Sequence, residues 1–506
     1  MKYWSDTLAE KLKERHLPLE GVDDMKTPSG RVHMGALRGL VIHDLVYKSL
    51  QQADVPTRYT YVYDDHDPMD GFPVYLPEEF KQYMGMPLYQ IPSPGPGAEN
   101  FAQYFANEFT EVFNKIGCHP EIIWASKLYE DGKMNDLIRV ALDHADDIRE
   151  IYEKMYKKEI AKPWYPYQPY CPQCKKVATT TVTDWDGEQI TFTCEVNKVN
   201  WTQGCGYTGK MSPFSHGTVV GKLPWKIEWP AVWKVIGVTV EGAGKDHMSA
   251  GGSHDVAKQI SEKVFHYETP YPIAYEWFNI GGKKMSSSKG VGTSAAEMLE
   301  LLPPELVRFL MVRTDYNKAI NFDPFGDTIP ALFDEYQRAA QAYTDKSDEL
   351  LARMFELSQI NGVHMPPKLR FSVIAQLVQM PNMKDYIASE GLESWAHYAR
   401  NWVEKYAPED EKFSIQESLP EAAKNLTTTQ KELLARIAKE LDTDWEAEKL
   451  QFEIYEWGKA MGMSGKEVFS AIYTALIGKD HGPKAAWLIL SLEKNFVQKR
   501  FEEAAK

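Results

Sequence analysis

Cysteine is scarce in this chain, with five in 506 residues. That is too few for a disulfide scaffold of this size, so a reducing compartment, the cytoplasm, is expected. No run of about 18 apolar residues occurs, so no membrane-spanning helix is expected. The segment Met1 to His16 mixes both charges on an amphipathic pattern. It lacks the apolar stretch of a secretory signal. Positive charge is also in deficit. Lys and Arg number 57 against 72 Asp and Glu, a net charge of −15. This is the wrong sign for coating nucleic acid by bulk electrostatics, although one local basic face stays compatible with it.

What is present suits a globular protein with sizeable cores. Apolar residues make up 43% and charged residues 25%. At this length about three domains or more are expected. Lys26 to Gly30 reads as a turn, Gly35 to Ala53 as a helix with apolar spacing near 3.6, and Pro56 to Asp65 as a strand. Turn, helix and strand in that order predict a βαβ unit with a nucleotide site at the turn. Phe101 to Ile116 reads as another amphipathic helix. From Pro163 to Lys222 the chain turns rich in Cys, Thr, Gly and aromatics, the texture of a small inserted module. After Asp323 helix patterns dominate: Phe333 to Leu357, Phe371 to Val378, Leu392 to Tyr406, Thr428 to Leu441, Trp445 to Met461, Ser464 to Ile477 and Gly482 to Glu502. An α/β fold is expected, a Rossmann-type parallel sheet over 1–130 and 223–330. The module 131–222 interrupts it, and an α-helical domain follows over 331–506.

Thr27-Pro-Ser-Gly-Arg-Val-His-Met-Gly-Ala-Leu-Arg38 carries chemistry. Gly30 and Gly35 flank His33 where the turn hands over to a helix. Free backbone N–H groups and the positive helix end suit a phosphate there. Thr27 and Ser29 add hydroxyl donors, and His33 can donate to charge developing on a phosphoryl group. Alone, the motif also fits a small nucleotidylyltransferase or an ordinary turn. The second segment is Gly281-Gly-Lys-Lys-Met-Ser-Ser-Ser-Lys-Gly290. Its lysines and serines between glycines have the composition of an anion clamp, with Lys284, Lys289, Ser286 and Ser287 as candidate phosphate partners.

The two segments together resemble the paired HIGH and KMSKS signatures of class I aminoacyl-tRNA synthetases. Asp64-Asp-His-Asp-Pro-Met-Asp-Gly71, Tyr83-Met-Gly-Met-Pro-Leu88 and Trp229-Pro-Ala-Val-Trp233 narrow the likeness to class I lysyl-tRNA synthetases. Ala243-Gly-Lys-Asp-His247, Gly251-Gly-Ser253 and Asn317 to Pro324 do the same. The resemblance implies a Rossmann catalytic domain split by a zinc-bearing insertion, then a helical anticodon-binding domain. It implies ATP with Mg²⁺, L-lysine and tRNA(Lys) as partners, a lysyl-adenylate intermediate and transfer to the 2′-hydroxyl; a monomer is expected, although the sequence itself does not give the oligomeric state. It also implies that Gly244, Asp246 and His247 contact ATP or the amino acid. Two positions depart from the family. Ala36 stands where a hydrogen-bonding residue is usual, and Ser287 replaces the second lysine of KMSKS.

A lysine ammonium requires a carboxylate, an aromatic face, or both. Asp64 and Asp65, at the end of the second strand, are candidates, with Trp229 and Tyr275. Cys171, Cys174, Cys194 and Cys205 are spaced to hold one structural Zn²⁺, with His216 as a possible substitute ligand. Cys118 reads as a buried thiol outside that module. Two alternative functions remain: a class I synthetase for another amino acid such as glutamate, and a catalytically weak tRNA-binding paralogue, favoured by Ala36.

Overall fold

The computed structural model describes residues 2–281 and 294–506. The chain forms two compact units. The first comprises Met1–Leu299, Pro304–Phe322 and Ala342–Val363. The second comprises Glu300–Pro303, Asp323–Gln341 and His364–Lys506.

A five-stranded parallel sheet centres the first unit. Its strands are β1 (Glu20–Lys26), β2 (Thr57–Tyr63), β3 (Glu121–Trp124), β4 (Val240–Gly244) and β5 (Tyr271–Tyr275). Their spatial order is β5-β4-β1-β2-β3, every pair parallel. This is the doubly wound Rossmann arrangement, with the chain reversing direction of travel between β1 and β4. The crossover from β1 to β2 is the helix Met34–Gln52, with thirteen buried residues including Leu37, Leu40, Val41, Leu45 and Val46. Helices Trp225–Ile236 and Ser253–Lys263 pack together, and their Trp229, Trp233 and Ala257 share a core cluster with Ala243 of β4. The expected turn, helix and strand over 26–65 are all present. β1 shows no clear alternating signal, because a strand covered on both faces needs none, whereas β3 and β5 are short edge strands.

The chain between β3 and β4 carries the insertion. Helices Asn135–Asp143 and Ala145–Tyr156 lead into a three-stranded antiparallel sheet of Thr180–Trp185, Ile190–Cys194 and Thr208–Met211. The module is tied at its neck, where Gln168–Pro169 pairs antiparallel with Gly221–Lys222.

The first unit reclaims Ala342–Val363, beyond the expected boundary at 331. Phe355 and Leu357 are buried there. The Arg308 guanidinium, itself fully buried, donates to the Leu357 carbonyl at 2.6 Å. Arg353 reaches Asp6 at 2.7 Å. Phe333 to Leu357, expected as one helix, is two, Thr328–Asp345 and Glu349–Ser358. Lys346 at φ 58° breaks the run, and Asp348 caps the second helix by accepting from Leu350 and Leu351. Gly482 to Glu502 divides likewise, into Ala485–Ser491 and Lys494–Ala504.

The second unit is helical. Thr427 with Gln430 and Ser464 with Glu467 form capping boxes that start helices Thr428–Glu440 and Gly465–Ile477. A Cβ on Gly458 would lie 2.1 Å from Val468 Cγ2, so helix Ala447–Ala460 meets its neighbour at a glycine. Trp457 is buried, whereas Phe452 and Tyr455 on the same helix are exposed.

Candidate active site

The site is built where the parallel strands end. A cavity of about 470 Å³ opens beyond the carboxyl ends of β1, β2, β4 and β5. That is the crevice at the reversal of strand order, where open α/β sheets bind ligands. Thr27, His33, Gly35, Asp64, Trp229, Gly244, Asp246, His247 and Tyr275, all expected at the site, line it together. Ala36 lines it as well. Ser29 and Gly30 lie in the turn between Thr27 and His33 without lining the cavity. His33 is the cap position of helix Met34–Gln52, whose first turn carries no acidic residue, so its positive end faces the cavity unopposed.

Asp65 requires a correction. Its carboxylate accepts from the Ser126 amide at 2.8 Å and from the Ser126 hydroxyl at 2.6 Å. It secures the start of helix Ala125–Glu130 rather than lining the cavity. Adjacent side chains at a strand end point to opposite sides, so only one of Asp64 and Asp65 could face the ligand. Lys284, Lys289, Ser286 and Ser287 fall outside the described residues. Just downstream, Ser294 makes an antiparallel bridge to His33, and the Ala295 amide donates to the Val32 carbonyl at 3.0 Å.

The wall is acidic. Seven carboxyl side chains line the cavity: Asp24, Asp64, Asp67, Asp70, Glu228, Glu241 and Asp246. Lys26 is the one lysine among the described lining residues. Sequence reasoning missed Asp24, Asp67, Asp70, Glu228 and Glu241. The signal for Asp24 was the doublet Asp23-Asp24 beside apolar Val22 and Met25, since charge inside a buried strand demands a reason.

Glu241 is 3% exposed and accepts indole N–H bonds from Trp229, at 2.8 Å, and from Trp233. Both donors are neutral, so the carboxylate charge stays uncompensated. Burial, then Asp23, pushes the Glu241 carboxyl well above its ordinary range. Asp24 is raised by burial too. His43 Nδ1 lies 2.7 Å from the Gly39 carbonyl, and Nε2 accepts the Gly242 amide at 2.7 Å. These bonds assign the proton to Nδ1 and leave the ring neutral. A Cβ at position 39 would meet the Tyr275 hydroxyl at 2.6 Å and Asp24 Oδ2 at 3.0 Å, so Gly39 permits this packing. Burial lowers the Lys26 ammonium from its usual range, against the pull of Asp24.

Away from the cavity, Cys171, Cys174, Cys194 and Cys205 bring their sulfurs within 4.8 Å of one another. Cys171 and Cys205 are 3.5 Å apart, and Cys174 and Cys194 3.6 Å. A tetrahedral zinc with Zn–S bonds near 2.3 Å spaces its sulfurs by roughly 3.8 Å. The Cys205 amide donates to Cys194 Sγ at 3.3 Å. The donor set therefore fits a four-thiolate metal. Cys118 lies elsewhere, beside Arg308 at 3.2 Å. Among the described residues no helix is long and apolar enough to cross a membrane.

Known proteins resemble the chain along its whole length. The family model "tRNA synthetases class I (K)" matches residues 2–361. The model "Anticodon binding domain" matches 397–505. A lysine–tRNA ligase from Methanosarcina barkeri (strain Fusaro) is 33% identical, over 99% of this chain and 98% of the relative. One from Archaeoglobus fulgidus is 32% identical, over 99% of this chain and 100% of the relative. A solved glutamate tRNA ligase from Elizabethkingia meningosepticum is 14% identical with a TM-score of 0.49, covering 96% of this chain and 99% of that one.

Proposed function

Since the chain belongs to the class I tRNA synthetase family of the (K) type, we infer that it attaches lysine to tRNA at the expense of ATP. The observation that carries the amino-acid assignment is the cavity wall of seven carboxyl side chains against one lysine. A cationic amino acid finds counter-charge there. Glutamate would face like charge with no arginine among the described lining residues.

The reaction has two steps. A lysine carboxylate oxygen attacks the α-phosphorus of ATP, and the bond to pyrophosphate breaks. The terminal ribose 2′-hydroxyl of tRNA then attacks the adenylate carbonyl, and AMP leaves. The first nucleophile is already an anion, so no general base is required, and catalysis is positioning with charge stabilisation. The helix end at His33 to Ala36 lines the cavity and suits the phosphates. Lys284 and Lys289 would complete that side. Mg²⁺ enters with ATP and neutralises phosphate charge. Asp24 beside Tyr275 and Glu241 beside Trp229 are the carboxylates offered to the lysine ammonium. A Zn²⁺ held by the four clustered cysteines would pin the inserted module. The helical domain, which matches the anticodon-binding model over 397–505, would contact the tRNA.

The test is aminoacylation of total tRNA with lysine, glutamate and arginine in parallel, with ATP and Mg²⁺. Charging with lysine alone is expected. Charging with glutamate, or tRNA binding with no charging at all, would overturn the reading. The second of these outcomes would restore the paralogue that Ala36 suggests.

A further inference from the structure

The same cavity wall holds a cation of its own. Lys222 is 1% exposed and leaves the neck strand Gly221–Lys222 toward the cavity floor. Its ammonium lies 2.6 Å from Glu228 Oε2, in ion contact, and 3.4 Å from Asp64 Oδ1. It also bonds Asp67. Asp64, Asp67 and Glu228 all line the cavity, while Lys222 does not.

Further bonds fix the cluster. Glu228 Oε1 accepts from the Tyr129 hydroxyl at 2.6 Å and pairs with His66 Nε2 at 2.8 Å. Asp67 Oδ2 accepts from the Thr27 hydroxyl at 2.8 Å. Asp64, His66 and Glu228 present ligand atoms close enough together to hold a cation. The Lys222 ammonium already stands among them. A buried ammonium among carboxyl groups is held only while ionised partners stay aligned with it, so this contact dictates their orientation, with Glu228 held ionised by Lys222 and His66 against burial and Asp64 raised by burial and Asp67.

We propose that Lys222 is a positioning residue for amino-acid selection: its ammonium closes Asp64, Asp67 and Glu228 to outside cations and leaves Asp24 and Glu241 to the substrate. The cavity then offers one register for a lysine side chain instead of two. Through Asp67 the same ammonium sets the rotamer of Thr27 at the end of β1. The neck of the cysteine module thereby reaches both sides of the site. This inference rests on the lysine reading above, but its central claim is testable without it.

Lys222→Ala removes three methylenes and an ammonium, which n-propylammonium reproduces. Calorimetric titration of the full chain with n-propylammonium chloride is expected to show one more bound equivalent in Lys222→Ala than in the wild type. That result stands or falls whatever amino acid the wild type charges. In aminoacylation, the lysine KM of Lys222→Ala is expected to rise roughly tenfold or more with kcat much less affected. Added n-propylammonium should restore the KM, and Lys222→Arg should stay nearer the wild type. A folded Lys222→Ala that binds no additional amine, or keeps its lysine KM, overturns the proposal. If Lys222→Ala does not fold, Lys222→Met combined with Asp67→Asn removes one charge of each sign. Its lysine KM is compared with Asp67→Asn alone, and equal values overturn the proposal as well.

Discussion

His43 Nε2 accepts the backbone N–H of Gly242 at 2.7 Å, which locks the helix Met34–Gln52 to β4 from inside the sheet. The helix begins at the end of the cavity proposed for the phosphates, and β4 carries Glu241. One imidazole thus sets the distance between the ATP side and the amino-acid side. His43→Leu is expected to lower stability by about 1–3 kcal/mol, because the Gly242 amide is left buried without its acceptor. It should also raise the KM for both lysine and ATP. Thermal melts with initial-rate kinetics check this, and an unchanged ATP KM would restrict His43 to the β4 side.

Asp24 and Glu241 are raised by burial above the ordinary carboxylate range. A raised carboxyl keeps its proton to higher pH, and a lysine ammonium binds the ionised form. Affinity for lysine should therefore be full above the raised pKa and fall as pH drops through it. The acid limb of kcat/KM for lysine should lie above about pH 4, the value for a free carboxyl. Glu241→Gln and Asp24→Asn each test one carboxylate, and the one that binds the ammonium is expected to lose tenfold or more in kcat/KM, about 1.4 kcal/mol. A lysine profile identical in both variants and the wild type would exclude both residues.

Glu228 behaves in the opposite way. Burial alone would raise its carboxyl, but Lys222 and His66 outweigh that and hold it at about 2. Its folded value is below the unfolded one of about 4.5, so its contribution is complete above that pH and disappears as pH falls toward 2. Glu228→Gln is expected to cost about 3–5 kcal/mol near neutrality, since the Lys222 charge stays buried with one partner fewer. The deficit should shrink in acid. Denaturant unfolding across that window measures it, and a deficit independent of pH would contradict the ion-pair account.

The four clustered cysteines predict about one zinc per chain by atomic absorption. Chelation should lower the melting temperature and make four thiols reactive, with the buried Cys118 slow. Cys171→Ser should lose the metal. A metal-free chain with unchanged melting would leave the module without a structural ion.

Gly458→Ala places a methyl on Val468 and should destabilise the helical unit by about 1–3 kcal/mol. Lysine and ATP binding, proposed for the cavity of the other unit, should hold steady while tRNA charging weakens. A parallel loss in lysine binding would show that the units are energetically coupled.

The sequence made part of this legible. The turn Thr27 to Gly35 was readable because glycines and hydroxyls at a helix start have few uses. The cysteines were readable because a thiol is rare here and spacing is diagnostic. Trp229 and Tyr275 could be picked out by residue type. What stayed hidden depends on strand order. Glu241 and Asp24 become neighbours of one cavity only when β4 docks beside β1, and no local pattern encodes that pairing. Lys222 reads as one more lysine until the neck strands bring it beside Asp67, 155 residues away. Asp65 misled for a related reason, since a strand end offers two carboxylates and local text does not say which one faces the ligand.

The excess of acid in the cavity bears on ATP as much as on the amino acid. A triphosphate entering a space lined by seven carboxyl side chains meets its own sign of charge. A bound lysine brings an ammonium into that field and reduces it. The two substrates therefore act as counter-ions for each other, each tightening the binding of the other by the same factor. Added salt, which screens the field, weakens that mutual help.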